Sequence, residues 1–413
     1  MIRILQAQEA ESLLKRRAAR QAEAESVVRP ILEAVHSRGD EALLEYAARF
    51  DRLDRSHIVS ALEMDQASQR LSPELRKAVE IAAENIRVFA RAQLPRDQTI
   101  EPRPGLAIGQ VVRPLDAIAA YIPSGRFPLV STLMMTVIPA CVAGVPQICV
   151  ASPTPDDAIL GVAPLLGATN VFRVGGAHAI AAFAFGTATV PKVDRIVGPG
   201  NAYVAAAKKL LAGDVGIDFV AGPTEILIIT ESGDARVLAA DMLAQSEHDY
   251  DASAVLLTTS RSLAEAVRSE IERQIRDLPT AAIAEQSIDR NGAIILVRSI
   301  EEAVDIANRF APEHLSISDP TILPGVRNAG GVFVGEFSPE AAGDYASGPN
   351  HVLPTGGAAR IRGGLSSADF VKVISVQRLS REALADLAPA IATLARVEGL
   401  EAHARSVEVR FHE

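Results

Sequence analysis

The sequence predicts an α/β protein of more than one unit, built on parallel sheets covered by helices. Three observations carry this. From about residue 110 onward, short β-rich runs alternate with Ala-rich helical stretches. Each of the first four runs is followed by a Gly-containing turn or a loop before the next helical stretch. At 413 residues and 48% hydrophobic content, the chain is too long for one ordinary core. Strands alternating with helices make a parallel sheet, because each crossover lays a helix on one of its faces.

The elements follow in order. The first hundred residues read as helical. Ser72-Pro73-Glu74 is a helix start: a capping hydroxyl, a proline at the first helical position, and an acid near the positive helix end. Leu75, Val79, Ala82, Ile86 and Phe89 then recur at helical spacing. Arg38-Gly39-Asp40 reads as a loop and helix cap. Candidate strands are Ala117–Ile122, Gln147–Ala151, Asn170–Val174, Arg195–Val197 and Ile226–Thr230. A helix near Ala235–His248 and strands near Ala254–Thr259 and Ala293–Val297 form a second α/β unit. Phe127 to Pro155 carries no charge, long enough to span a bilayer. Pro128, Pro139 and Pro146 interrupt it, so it reads as a buried helix, a turn and a buried strand. Ser380–Arg396 reads as an amphipathic helix. Val407, Val409 and Phe411 alternate with Glu408 and Arg410, the period of a half-buried strand.

Composition excludes several functions. Lys and Arg number 41 against 51 Asp and Glu, a net charge of −10. Nucleic-acid binding leans on a basic surface, and the 4% aromatic content without Trp offers few stacking platforms. Two cysteines, Cys141 and Cys149, supply neither a disulfide framework nor a thiolate zinc site. Both lie in apolar runs and read as core residues; they are also the chain's only candidate thiol nucleophiles. With no signal-peptide pattern at the N-terminus, a reducing cytoplasmic setting is expected.

Several segments carry chemistry-bearing residues. Val174-Gly175-Gly176-Ala177-His178 and Val197-Gly198-Pro199-Gly200-Asn201 end candidate strands and open helices. Such turns admit a phosphate-bearing ligand at a helix N-terminus, though the G-x-G-x-x-G spacing is missing and a plain tight turn fits too. Leu238, Asp241, Met242, Gln245 and His248 share one helical row that turns polar in its last turn. Gln245 and His248 there suit a borderline cation, or simply a capped, solvated helix end. Pro312-Glu313-His314 sets a carboxylate beside an imidazole: two proton acceptors of different basicity, or two exposed loop residues. The loop-like stretch Ala342–His351 brings Asp344 and His351 as candidate ligands. Glu398-Gly399-Leu400-Glu401-Ala402-His403 reads alone as a helix break and a surface histidine.

Taken with Tyr121-Ile122-Pro123-Ser124-Gly125, Ala221-Gly222-Pro223-Thr224-Glu225 and Asn350-His351-Val352-Leu353-Pro354-Thr355, these segments occur in an order that resembles the histidinol dehydrogenase family. The resemblance runs from about residue 110 to the end, more loosely before it. It implies zinc- and NAD-dependent oxidation of L-histidinol to L-histidine through bound L-histidinal, two NAD being reduced. It implies one zinc per subunit, on Gln245, His248, Asp344 and His403. Glu313 and His314 match the proton-transfer pair. Tyr121, His178 and Asn201 match cofactor positions. Thr224 and Glu398 match substrate positions, with Gln245, His248, His314, Asp344 and His403 also facing the substrate. The implied fold is aldehyde-dehydrogenase-like: two α/β lobes with incomplete Rossmann-like sheets, a helical N-terminal part and an extended C-terminal tail. The expected division is 1–25 as an N-terminal helical segment, 26–115 with 225–365 as the lobe bearing metal and bases, 116–224 as the NAD lobe, and 366–413 as a C-terminal helix and dimer-exchanged tail. The implied assembly is a homodimer with a shared site and no nucleic-acid or membrane partner.

The sequence departs from the family pattern at three positions. His178 stands where Gln is expected, Thr224 where Ser is more usual, and Asp249 where many members have Gly. The first bears on cofactor contact; none removes a metal or base position. Competing readings are a paralogous zinc/NAD dehydrogenase of another small polar alcohol, a thiol-dependent aldehyde dehydrogenase, and a non-catalytic nucleotide-binding scaffold. The apolar setting of both cysteines speaks against the second, and the presence of every metal and base residue against the third.

Overall fold

A computed structural model describes residues 2–10, 21–124 and 128–411. Residues 11–20 of the expected N-terminal helical segment, Gly125 of the Tyr121 motif and Phe127 at the head of the charge-free stretch lie outside the described residues. The strands, in chain order, are β1 (Arg3–Gln6), β2 (Gln98–Arg103), β3 (Leu106–Pro114), β4 (Ala117–Tyr121), β5 (Gln147–Ala151), β6 (Asn170–Phe172) and β7 (Arg195–Val197). They continue as β8 (Gly216–Ile217), β9 (Glu225–Ile229), β10 (Ser253–Thr258), β11 (Ala293–Leu296), β12 (His314–Ile317), β13 (Gly331–Val334) and β14 (Val371–Leu379). The chain divides into two units: residues 1–93 with 116–370, and residues 94–115 with 371–413.

The first unit holds two parallel sheets, ordered β6-β5-β4-β7-β8 and β1-β11-β10-β9-β12-β13. Both wind outward in two directions from a central pair, β4 beside β7 and β9 beside β12. Strand order reverses at those pairs, which makes each a switch point of the kind where α/β sheets open a crevice. β4 and β9 are buried along their whole length, as strands covered on both faces must be.

The charge-free stretch is a buried helix, Val130–Ala143, followed by β5. Gly144 closes the helix in a left-handed conformation at φ 85°, where a side chain would be strained. Helix Pro73–Gln93 starts as its sequence predicts, with the Ser72 hydroxyl accepting from the Leu75 N–H at 3.1 Å. Val79, Ala82 and Ile86 are buried, while Phe89 of the same row is 39% exposed. The helices of residues 21–93 pack on helices that flank β4–β8: Gln21–Arg38 on Ala202–Leu211, Ala61–Arg70 on Asp157–Leu166, and Pro73–Gln93 on Val130–Ala143.

The all-helical reading of the first hundred residues needs correction at both ends. Arg3–Gln6 is β1, paired in parallel with β11, and Gln98–Arg103 is β2. A four-residue strand has no periodicity to read, and β1 exists because β11 offers it an open edge.

The second unit is a three-stranded antiparallel sheet, β14-β3-β2, with helices Arg381–Val397 and Glu401–Glu408. The half-buried strand expected around Val407, Val409 and Phe411 is not formed. Val407 lies in the second helix, and Val409 beyond it is 63% exposed. Five alternating residues are too few to outweigh helix-forming contacts: Ala404 buried with Ala392 and Ala395, and Glu401 paired with Arg396 at 3.0 Å and with Arg405 at 3.2 Å. Among the described residues, no helix is long and apolar enough to cross a membrane.

Cys149 lies inside β5 with no exposure, and burial pushes its thiol up to about 12. Cys141 donates to the Leu166 carbonyl at 3.1 Å, and burial raises its pKa as well. Neither can present a thiolate at neutral pH. Iodoacetamide at pH 7.5 is therefore expected to leave Cys149 unlabelled in the native protein and to label it after unfolding, as read by peptide mass spectrometry. Labelling in the native state, with loss of activity, would revive a thiol mechanism.

Candidate active site

The chemistry-bearing residues gather at the amino edges of β9 and β12. Thr224 and Glu225 lead into β9, while Glu313 and His314 lead into β12, whose register sets His314 beside Ile226. The backbone enters this corner under constraint. Ala311 caps helix Ile300–Phe310 in the left-handed region at φ 51°, uncommon for a residue with a Cβ. Beyond it, the Gly331 N–H holds the Glu313 carbonyl at 2.9 Å.

His314 is 3% exposed. Its Nδ1 lies 3.0 Å from the Glu225 carbonyl, which can only accept, so Nδ1 carries the proton. Nε2 is then a bare acceptor, buried and without a hydrogen-bond partner. Desolvation pulls this imidazole down to about 3, so it rests neutral. Glu313, also buried, accepts from the Thr224 hydroxyl at 2.6 Å and from the Glu225 N–H at 2.9 Å. Desolvation holds its carboxyl well above the usual range against those bonds.

Helix Ala235–Ser246 brings Gln245, fully buried, to the same corner, and His248 follows just past its end. Asp344 sits on the short helix Glu340–Tyr345 one turn after Glu340, so both acids share a face. Ligand atoms of His248, Glu340 and Asp344 lie within 4.8 Å of one another. Desolvation lifts Asp344 to about 7, and lifts Glu340 well above the usual range with help from the charges of Asp344, Glu313 and Asp241. His248 is surface-exposed at one edge, yet desolvation by the surrounding wall lowers its pKa. His351 lies on the next loop, its Nδ1 2.8 Å from the Asp344 carbonyl.

The Gln245 amide has two settings. With Nε2 toward the Thr224 hydroxyl, its oxygen faces the Glu340 carboxylate, acceptor against acceptor. Turned over, Nε2 donates to Glu340 at 2.8 Å and the oxygen accepts from the Glu225 N–H at 3.0 Å. The first setting is the one a cation between the two oxygens relieves. A half-buried set of carboxylates, imidazole and amide oxygen, whose acids a cation would let ionise, fits a divalent cation. Glu340 was missed by sequence reading. An acid just after a proline reads as a helix start, and only its one-turn spacing from Asp344 pointed elsewhere.

The cofactor candidates lie at the carboxyl ends of β4, β6 and β7. The Gly176 N–H donates to the Tyr121 hydroxyl at 3.1 Å. Burial pushes that phenol up to about 12, so it stays neutral. Asn201 caps helix Ala202–Leu211, accepting from the Tyr203 and Val204 N–H groups at 3.0 and 3.1 Å. His178 is 1% exposed and donates from Nε2 to Asp51 at 2.8 Å, while Asp51 also accepts from the Gly175 N–H at 2.8 Å. The described groups thus engage His178 from inside the lobe. Helix Val130–Ala143 links this lobe to the Asn350-His351 loop, its Thr132 hydroxyl 3.4 Å from His351 and its Met135 carbonyl accepting from Asn350 at 2.7 Å. Glu398 and His403 belong to the second unit, Glu398 at the end of its first helix and His403 exposed on its second.

Residues 14–411 match the family model described as histidinol dehydrogenase. The chain belongs to the histidinol dehydrogenase family. Within it, the chain is 49% identical over 391 residues to histidinol dehydrogenase of Thermus thermophilus, covering 94% of each. It is 47% identical over 400 residues to that of Geobacter metallireducens, covering 94% of this chain and 92% of the relative. The crystal structure of histidinol dehydrogenase from Elizabethkingia anophelis superposes with a TM-score of 0.95 at 36% identity, covering 99% and 98% of the two chains. An acetylating aldehyde dehydrogenase from Geobacillus thermoglucosidasius shares the fold at a TM-score of 0.50 and 15% identity, over 91% of this chain and 97% of that one. The aldehyde-dehydrogenase-like α/β architecture expected from sequence is therefore the one observed. Gln245, His248, Asp344, Glu313 and His314 stand in one corner of the fold, with Glu340 and His351 beside them.

Zinc added to metal-free protein is expected to raise the melting temperature, by about 2.7 kcal/mol of stabilisation at a hundredfold excess over Kd. Glu340→Gln should weaken zinc binding by at least about tenfold, read by competition with a chromophoric chelator. Unchanged affinity would remove Glu340 from the metal's surroundings.

Proposed function

We propose that this protein oxidises L-histidinol to L-histidine through bound L-histidinal, reducing two NAD, with one zinc per subunit. The observation that carries the reading is His314: a neutral imidazole with Nδ1 fixed by a backbone carbonyl and Nε2 buried, bare and facing the acid-lined corner. A proton acceptor held in that state, in a chain of this family, is suited to take the hydroxyl proton of an alcohol under oxidation. Gln245, His248 and Asp344, with His403, would hold the zinc, and Glu340 stands beside them. When bound, zinc supplies a Lewis-acidic anchor for the substrate's polar groups, and NAD supplies the hydride acceptor.

The protein's own groups divide the remaining work. His314 Nε2 accepts the hydroxyl proton in the first oxidation and a proton again in the second. Glu313 takes a proton from the water that adds to the aldehyde. Thr224 keeps the Glu313 carboxyl turned toward that position through its 2.6 Å bond. By the family resemblance Glu398 would contact the substrate, and Tyr121 and Asn201 the cofactor, with His178 held by Asp51 behind the Gly175-Gly176 turn.

A homodimer with a shared site has physical support in the second unit. Among its described residues the buried apolar side chains are Ala383, Ala392, Ala395 and Ala404. β14 exposes Val373, Ile374 and Val376 at 45–50% of their area, so residues on both faces of the strand meet solvent in one chain. Such a sheet needs a covering surface, and a second copy of the chain supplies one while carrying Glu398 and His403 to the other subunit's zinc.

Two experiments test this. In stopped-flow assays of NADH formation, His314→Asn should slow both half-reactions by about 10²–10⁴-fold, whereas Glu313→Gln should slow histidinal oxidation by a similar factor and histidinol oxidation much less. Other small polar alcohols offered to the zinc-loaded enzyme should form little NADH; equal turnover of one of them would point to the paralogous reading. For the assembly, co-refolding inactive His248→Ala with inactive His403→Ala should restore activity, because a mixed dimer rebuilds one intact site. Proven heterodimers without activity would exclude the shared site.

A further inference from the structure

Two buried charges in the cofactor lobe have no part in the chemistry above. Lys208, on helix Ala202–Leu211, is 2% exposed, and Asp218, just after β8, is 3% exposed. They form an ion pair with each other. Both also reach the same glycine. Lys208 Nζ donates to the Gly198 carbonyl at 3.0 Å, and Asp218 Oδ2 accepts from the Gly198 N–H at 2.7 Å. The other Asp218 oxygen accepts from the Phe219 N–H at 2.6 Å, and the Phe219 ring lies 6.0 Å from Lys208 Nζ and 5.3 Å from the Arg362 guanidinium. The two halves of one ion pair thus hold both peptide groups of one residue.

Gly198 is where this matters. It follows β7 at the switch point and adopts φ 111°, open to glycine alone among the common residues. A Cβ at this position would run into the Tyr121 carbonyl oxygen at the end of β4. Gly198 is therefore pressed against the backbone of one cofactor candidate, and the three residues after it lead to another, Asn201. Tyr121 in turn receives the Gly176 N–H on its hydroxyl. Fixing Gly198 fixes the spacing of the β4 and β7 ends, and with it the mouth of the crevice. Stability alone does not account for the pair, because apolar side chains of similar volume commonly replace a buried ion pair without loss.

We propose that Lys208 and Asp218 are positioning residues for the nicotinamide dinucleotide: their ion pair sets the Gly198–Asn201 turn against Tyr121 at the separation the cofactor requires. The proposal rests on the reading of NAD as cofactor. It predicts an effect confined to the cofactor side, since neither residue contacts the corner of Glu313, His314 and Asp344.

The test is the paired substitution Lys208→Met with Asp218→Leu, which removes both charges and leaves no lone buried ion. NAD binding to the zinc-loaded protein is measured by calorimetry, and KM is measured separately for NAD and for histidinol. The expected result is a rise in Kd and KM for NAD of roughly tenfold or more, as a displaced binding turn produces, with histidinol KM, zinc affinity and melting temperature unchanged. Unchanged NAD affinity in the variant, beside normal binding by the unsubstituted protein, overturns the proposal and leaves the functional reading standing. A parallel fall of NAD affinity, histidinol affinity and melting temperature also overturns it, by showing a general structural role. Failure of the unsubstituted protein to bind NAD overturns both. If circular dichroism shows the paired variant unfolded, Asp218→Asn is read in the same way: it keeps the shape and turns one acceptor into a donor. A smaller but cofactor-specific loss supports the proposal, and none defeats it.

Discussion

Four carboxyl groups, Glu225, Glu313, Glu340 and Asp344, and two imidazoles, His314 and His351, sit within one largely water-excluded corner of the first unit. Charge cannot be left unbalanced at that depth. The folded chain deals with it by several local means. Glu225 accepts from the Gly356 N–H at 2.7 Å. Glu313 takes two hydrogen bonds, from Thr224 and from the peptide after it. His314 is fixed in one tautomer by a carbonyl rather than by an acid. Glu340 and Asp344 have ligand atoms within 4.8 Å of His248, and Glu340 also faces the Gln245 amide. The rigidity of β9 and β12 holds these groups close enough for their charges to matter.

The two sheets share one winding scheme but use opposite ends. In the β4–β8 sheet the candidate groups stand at the carboxyl ends, where the Gly turns open, as is usual for a doubly wound sheet. In the β9–β13 sheet they stand at the amino ends of the central strands, supplied by residues just before β9 and β12 and by a helix end. Helix Val130–Ala143 follows the Tyr121 end of the first sheet and reaches the Asn350-His351 loop beside the second, so one element touches both groups of candidate residues.

Much of this could be read in the residues. Buried parallel strands are continuous apolar runs bounded by Gly turns, so β4, β5 and β7 were found nearly to the residue, and β9 one position late. That one position conceals Glu225, the carbonyl that orients His314. The site residues became legible only as an ordered set, because a Glu-His pair or a Gln three residues before a His has ordinary surface meanings. Glu340 was hidden by its place at a helix start, and the Asp51–His178 contact by the 127 positions that separate its partners. The antiparallel β14-β3-β2 sheet was illegible for a different reason: β2 and β14 are exposed on both faces, β3 is half-buried on both, and none carries a clean alternation. At Val407–Phe411 the period misled, since packing of Ala404 decided for helix.

The pairing of β1 with β11 has a consequence for how the molecule is made. Arg3 precedes its partner Ala293 by 290 positions, so β1 is synthesised well before the strand it pairs with. Closing so long a loop is entropically slow and cannot precede formation of the sheet it joins. Until then β11 is an unpaired edge, a surface on which nascent chains stick to one another. β1 is thus a late-closing clasp, and chaperone demand should peak between synthesis of β11 and its capture by residues made long before.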